Sequence, residues 1–161
     1  MALWIDPVFD RTEQDVAFAK EQIQKWIEQT LAGNLSETYE LKGCLNLSDI
    51  NRIEGNIQYL SDELDRLLYE PGVSCKVWEK SGMPTERDIR RILTNVRLLI
   101  ASFYQQEGTS EVPDKMALHT DINAIEENLY NLKTLLDSMV DGFSKSGTYQ
   151  SGGMRLLPIR R

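Results

Sequence analysis

Three stretches of this chain place apolar residues at alternating steps of three and four, and that spacing dictates what the chain can fold into. Ile50, Ile53, Ile57, Leu60, Leu64 and Leu67 form the first set, Ile89, Ile92, Val96, Leu99 and Phe103 the second, and Ile122, Ile125, Leu129, Leu132, Leu136 and Met139 the third. Such steps return to one side of an α-helix, whereas a half-buried strand alternates at two. Each stretch therefore predicts a helix with one apolar seam, and seams of this kind bury against one another. From about Thr12 to Leu31 the same step recurs less cleanly through Val16, Ala19, Ile23, Trp26 and Ile27, with Asp10 or Thr12 placed to cap it. At 161 residues the chain holds about one domain. The expected fold is all-α: a small bundle of about four helices with non-helical segments at both ends.

The three helices share more than their seams. Asp49-Ile50-Asn51-Arg52-Ile53-Glu54-Gly55-Asn56-Ile57 aligns with Asp88-Ile89-Arg90-Arg91-Ile92-Leu93-Thr94-Asn95-Val96 and with Asp121-Ile122-Asn123-Ala124-Ile125-Glu126-Glu127-Asn128-Leu129. Upstream, Tyr39-Glu40-Leu41-Lys42-Gly43-Cys44 aligns with Trp78-Glu79-Lys80-Ser81-Gly82-Met83, so the entering loop repeats as well. Units this short and this few suit a small bundle better than a solenoid, whose repeats usually hold two elements each. Asn46 and Thr85 precede Asp49 and Asp88 by three residues, as N-caps do, with acid in the first turn. Pro71-Gly72, Gly108 and Gly142 mark the expected helix ends. The connecting loops are long for a bundle, which predicts that they lie along it, tucked by Tyr39, Leu41 and Trp78.

Composition narrows the chemistry. The net charge of −7 is uneven: residues 1–144 hold 14 Lys and Arg against 25 Asp and Glu, a net −11, while residues 145–161 carry four positive charges and no acid. An acidic body repels phosphate backbones, so no nucleic-acid partner is expected. No stretch reaches the roughly 18 apolar residues of a membrane span, and the opening residues lack a basic and apolar leader, so neither a membrane nor secretion is expected. Cys44 and Cys75, with no CxxC spacing, read as two free thiols. One histidine and two cysteines do not build a zinc site, and no nucleophile, base and acid stand in a recognisable order. No catalytic residue, metal, cofactor or small-molecule substrate is expected.

Individual residues sharpen this picture. Asn56, Asn95 and Asn128 stand one residue before a seam position, where helix-to-helix or loop-to-helix hydrogen bonding that fixes register is favoured over a polar ligand pocket. Asp49 with Glu54 and Asp121 with Glu126 read as caps and solvated faces, because Leu93 breaks the set and no histidine joins it. His119 reads as a surface or capping residue. The ends differ from the body. Residues 1–9 form an apolar, aromatic arm interrupted by Pro7, residues 10–143 form the bundle, and residues 144–161 form a turn-rich, basic and apolar arm. Trp4, Ile5, Phe9, Tyr149, Arg155, Leu156, Leu157, Ile159, Arg160 and Arg161 are the candidate interface residues, because an arm without its own helix to cover it can bury itself on a neighbour.

Leu41-Lys42-Gly43-Cys44-Leu45-Asn46-Leu47-Ser48-Asp49-Ile50-Asn51-Arg52-Ile53-Glu54-Gly55-Asn56-Ile57-Gln58-Tyr59-Leu60 resembles a segment common in structural proteins of phages and prophages of Gram-positive bacteria. Trp4-Ile5-Asp6-Pro7-Val8-Phe9-Asp10-Arg11-Thr12-Glu13-Gln14-Asp15-Val16 resembles that family's W-x-x-P-x-x-D-R-T-x-x-D-V opening, and the likeness continues through Met83-Pro84-Thr85, Val112-Pro113 and Ser146-Gly147-Thr148. The resemblance implies a non-enzymatic minor structural, tail or baseplate-associated subunit, located in the virion and partnered by other phage structural proteins in a symmetric homo- or hetero-oligomer. With the chain ending at Arg161, a small adaptor or decoration subunit is expected, in a tail, baseplate, fibre or neck. The alternative is a soluble cytosolic helical adaptor that binds a partner protein through its bundle surface.

Overall fold

Four helices follow one another along the chain: α1 (Glu13–Leu31), α2 (Leu47–Arg66), α3 (Glu86–Ser102) and α4 (His119–Gly153). The computed structural model describes residues 2–34, 39–80, 82–105 and 107–153, with side chains as far as residue 143 in the last helix. Each helix begins where a carboxylate three residues on can satisfy free backbone amides. Asp15 and Asp88 accept from the amides of Thr12 and Thr85 at 2.8 and 2.9 Å, and each threonine hydroxyl accepts in return from the aspartate's own amide. Asp49 accepts from the amide of Asn46 at 2.9 Å. Asp121 accepts from the amides of both Ala117 and Leu118.

The seams of α2, α3 and α4 close on one another. Ile53, Ile57, Ile92, Val96, Leu99, Ile125 and Leu129 lose all solvent contact, and Trp78 joins them from the loop before α3. At about 1.5–3 kcal/mol for each buried Ile, Leu or Val, this shared centre supplies most of the drive to fold. Leu67 falls outside it, because α2 ends at Arg66.

The fold is the expected small all-α bundle among the described residues, with α1 packed less closely than the other three helices. The closest helix contacts join α2 to α3, α2 to α4 and α3 to α4, and α1 packs mainly on residues 39–45, which return along it. Of its seam only Ala19 is buried. Trp26 meets Tyr39 edge to face, with ring centroids 5.3 Å apart. Gly43 crosses the first turn of α1 so closely that a Cβ there would fall on the Asp15 backbone and within 2.6 Å of Val16 N. The aligned Tyr39 and Trp78 therefore part company: Tyr39 is exposed beside α1, while Trp78 is buried in the core.

The helix end expected near Gly142 lies further on, and the N-terminal segment, non-helical as expected, is held by the body. α4 does not stop near Gly142 but continues through Gly153. Gly142 lacks the positive φ that Gly33, Gly72 and Gly108 adopt at chain reversals, so the helical backbone passes through it. Residues 2–11 do not hang free. They lie extended in the groove between α2 and α4, held by both helices.

Candidate functional site

Each of the three grooves around the α2, α3 and α4 core is filled by an extended segment of the same chain, and asparagine side chains hold those segments by their backbone. Asn56 of α2 accepts from Ile5 N at 3.0 Å and donates to Ile5 O at 2.7 Å. Asn95 of α3 holds Ser74 in the same two-way manner, at 3.2 and 2.7 Å. Asn128 of α4 donates to Ser110 O at 2.8 Å. Two more asparagines hold the far ends of the segments: Asn51 of α2 grips Trp78 N and O at 2.8 and 3.0 Å, and Asn123 of α4 grips Arg11 N and O at 3.3 and 2.9 Å. An amide side chain carries both a donor and an acceptor, so it replaces the ladder partner that an isolated extended segment lacks.

The arrangement is cyclic. Residues 2–11 lie between α2 and α4, residues 72–78 between α3 and α2, and residues 109–116 between α4 and α3. In the aligned repeats Asn56, Asn95 and Asn128 share one position and Asn51 and Asn123 another. Arg90 breaks the second set, and its groove uses a different residue: Arg97 donates to Val112 O and Pro113 O. The expected loop-to-helix hydrogen bonding thus describes what the repeated asparagines do.

Beneath the asparagines lie two buried ionic clamps. Glu126 of α4, 1% exposed, accepts from Arg52 of α2 at 2.6 Å, from Arg11 at 3.3 Å and from the amide of Val8. Glu54 of α2, 2% exposed, accepts from Arg91 of α3 and from the indole Nε1 of Trp78 at 3.1 Å. The glutamates are therefore not on solvated faces, a correction to the expectation. Their cost of burial is met by guanidinium groups from neighbouring helices and by segment donors. Arg11 and Trp78 play equivalent parts: each has its backbone held by an asparagine and its side chain turned inward to a buried glutamate. Asp49 caps α2 as expected and also accepts from Arg11 at 2.8 Å and Arg52 at 2.6 Å. Burial pushes its carboxyl up, but the Asn46 amide and these two guanidinium groups outweigh that and hold it below the usual aspartate range.

No family model, curated protein or solved structure matches this chain. A cleft of about 370 Å³ opens beside α2, walled by Asn51, Glu54, Gly55, Cys75 and Val77. Its acid, Glu54, is engaged by Arg91 and Trp78, and burial followed by the Glu54 carboxylate pushes the Cys75 thiol up to about 12, which keeps it protonated and a poor nucleophile at neutral pH. Cys44 and Cys75 are both free. Among the described residues no group of three or more His, Cys, Asp or Glu side chains gathers as a metal site.

The candidate interface residues divide. Trp4 packs against the core and meets Tyr59 at 5.6 Å between centroids, and Phe9 meets Tyr130 at 5.4 Å. Ile5 has its backbone clamped while its side chain is 54% exposed. The N-terminal segment is thus engaged by its own chain. The Tyr149 side chain and Arg155, Leu156, Leu157, Ile159, Arg160 and Arg161 lie outside the described residues. The surface that sequence reasoning missed is on α1, where Ile23, Ile27 and Leu31 are 38%, 48% and 83% exposed and border a shallow groove of about 300 Å³ with Trp26 and Thr30. Its seam spacing was visible, but spacing says which face is apolar and not what covers it.

Proposed function

We propose that this chain is a non-enzymatic structural subunit of a phage or phage-tail-like particle, a small adaptor of a tail, baseplate, fibre or neck, that takes its place through the apolar face of α1. The observation that carries the reading is the contrast between α1 and the body. The core fills its own three grooves with its own segments, and its buried charges hold them, while α1 presents an apolar row that stays largely exposed among the described residues. Exposed apolar surface on an ordered helix costs solubility unless a neighbour covers it. A body whose grooves are filled by its own chain, carrying an exposed apolar row on a helix, suits a subunit fixed in an assembly. The resemblance of residues 4–16 and 41–60 to phage structural proteins supplies the kind of assembly.

Mass spectrometry of particles purified from an induced host that carries the gene tests this. The chain should sediment with the particle at a fixed ratio to its other structural proteins. Recovery only in the soluble fraction, bound to a host protein, would instead support the cytosolic adaptor.

A further inference from the structure

We propose that the partner of α1 is α1 of a second copy, packed across a two-fold axis; this rests on the reading of α1 as the assembly surface. Ile23, Ile27 and Leu31 follow one another at steps of four, so they form a single ridge along the helix. The other edge of the apolar face is partly covered, since Ala19 is buried and Trp26 meets Tyr39 edge to face. Among the described residues, that face leaves open a ridge beside a shallow groove lined by Ile23, Trp26, Ile27, Thr30 and Leu31. Two identical ridges of this kind interdigitate at a crossing of about 50°, each seating in the other's groove. A surface that offers both the ridge and the groove is complementary to itself, which is the requirement of an isologous contact.

Charge points the same way. The chain carries −7 overall, yet residues 20–31 hold Lys20 and Lys25 against Glu21 and Glu28, a balance of zero. Two copies therefore meet here without the repulsion that the rest of the acidic surface would impose. Lys20 and Glu28 stand at opposite ends of the row that flanks the ridge, so an antiparallel crossing brings the lysine of each copy toward the glutamate of the other.

Sedimentation velocity on the full purified chain, over about a hundredfold range of concentration, reads the contact directly. The wild type should shift from monomer to dimer as concentration rises. Ile27→Asp, at an exposed position, should keep the wild-type circular dichroism spectrum and weaken dimerisation at least about tenfold. Leu3→Asp, exposed but outside α1, should dimerise as the wild type does. A wild type that stays monomeric throughout, or an Ile27→Asp variant that dimerises as well as the wild type, overturns the proposal. The result is separable from the particle reading: a monomeric chain that still enters particles would refute the α1 pair alone, and a dimer absent from particles would refute the particle alone.

Discussion

Arg52 on α2 lies 2.6 Å from Glu126 on α4, and the same relationship recurs one junction on, where Arg91 on α3 grips Glu54 on α2. At the third junction both partners have changed together: Leu93 stands where the glutamates stand, and Ala124 stands where the arginines stand. The repeat therefore preserves pairs and not single residues. A charge buried at two junctions is balanced, and at the third neither charge is present.

That pairing predicts a specific non-additivity. Arg91→Ala alone leaves the buried Glu54 carboxylate without its ion partner and should cost about 3–5 kcal/mol. Adding Glu54→Leu imports the pair found at the third junction and should restore at least about 1 kcal/mol, although Trp78 Nε1 then loses its acceptor. Urea unfolding of the two single variants and the double variant measures the coupling. A double variant whose loss equals the sum of the single losses would show that the two residues act independently.

The asparagine clamps predict a local effect. Asn56→Ala removes the side chain that holds both Ile5 N and Ile5 O, so stability should fall by about 1–3 kcal/mol. Amide hydrogen exchange should accelerate first along residues 2–11, while the centre of α3, buried in the core, keeps its protection until global unfolding. Equal acceleration in α3 and in residues 2–11 would mean that the segment is not a separately held unit.

Acid should loosen the same body. Asp49 is held below the usual aspartate range, and so is Asp88, by a hydrogen bond from Lys76 and then by those from Thr85. A carboxyl with a lowered folded-state pKa binds fewer protons folded than unfolded, so its contribution is complete above the ordinary value of about 3.9 and is lost as pH falls through the folded-state values. The urea midpoint should therefore hold steady from pH 7 to about pH 5 and drop below about pH 4. Asp49→Asn should lower the plateau and flatten the acid limb. A wild-type midpoint that stays constant down to pH 3 would contradict the assignment.

The helices were legible because a bundle seam leaves a periodic trace, and the caps were legible because Thr12 with Asp15, and Thr85 with Asp88, act over three residues. The role of Asn56, Asn95 and Asn128 could be inferred from their repetition beside the seam. Arg11 could not, since Asp49 and Glu126 lie 38 and 115 residues from it in sequence. The burial of Glu54 and Glu126 was hidden for the same reason: whether an acid on a helix edge is solvated depends on an arginine supplied by another helix. Extended segments such as residues 2–11 and 72–78 leave no period at all, because side chains hold them and no neighbouring strand does. For α1 the spacing shows which face is apolar but not what covers it, since the step from Ile23 to Ile27 looks the same whatever packs on it.

The body fills its grooves with its own segments, and we propose that α1 is what this protein offers to its assembly. Particles purified from hosts that express either the wild-type chain or Ile27→Asp as the sole copy, with the chain quantified by mass spectrometry, test it most directly. The wild type should be present at a fixed ratio, and the variant, folded and equally abundant in the cell, should be missing. Incorporation of Ile27→Asp at the wild-type ratio would contradict the account.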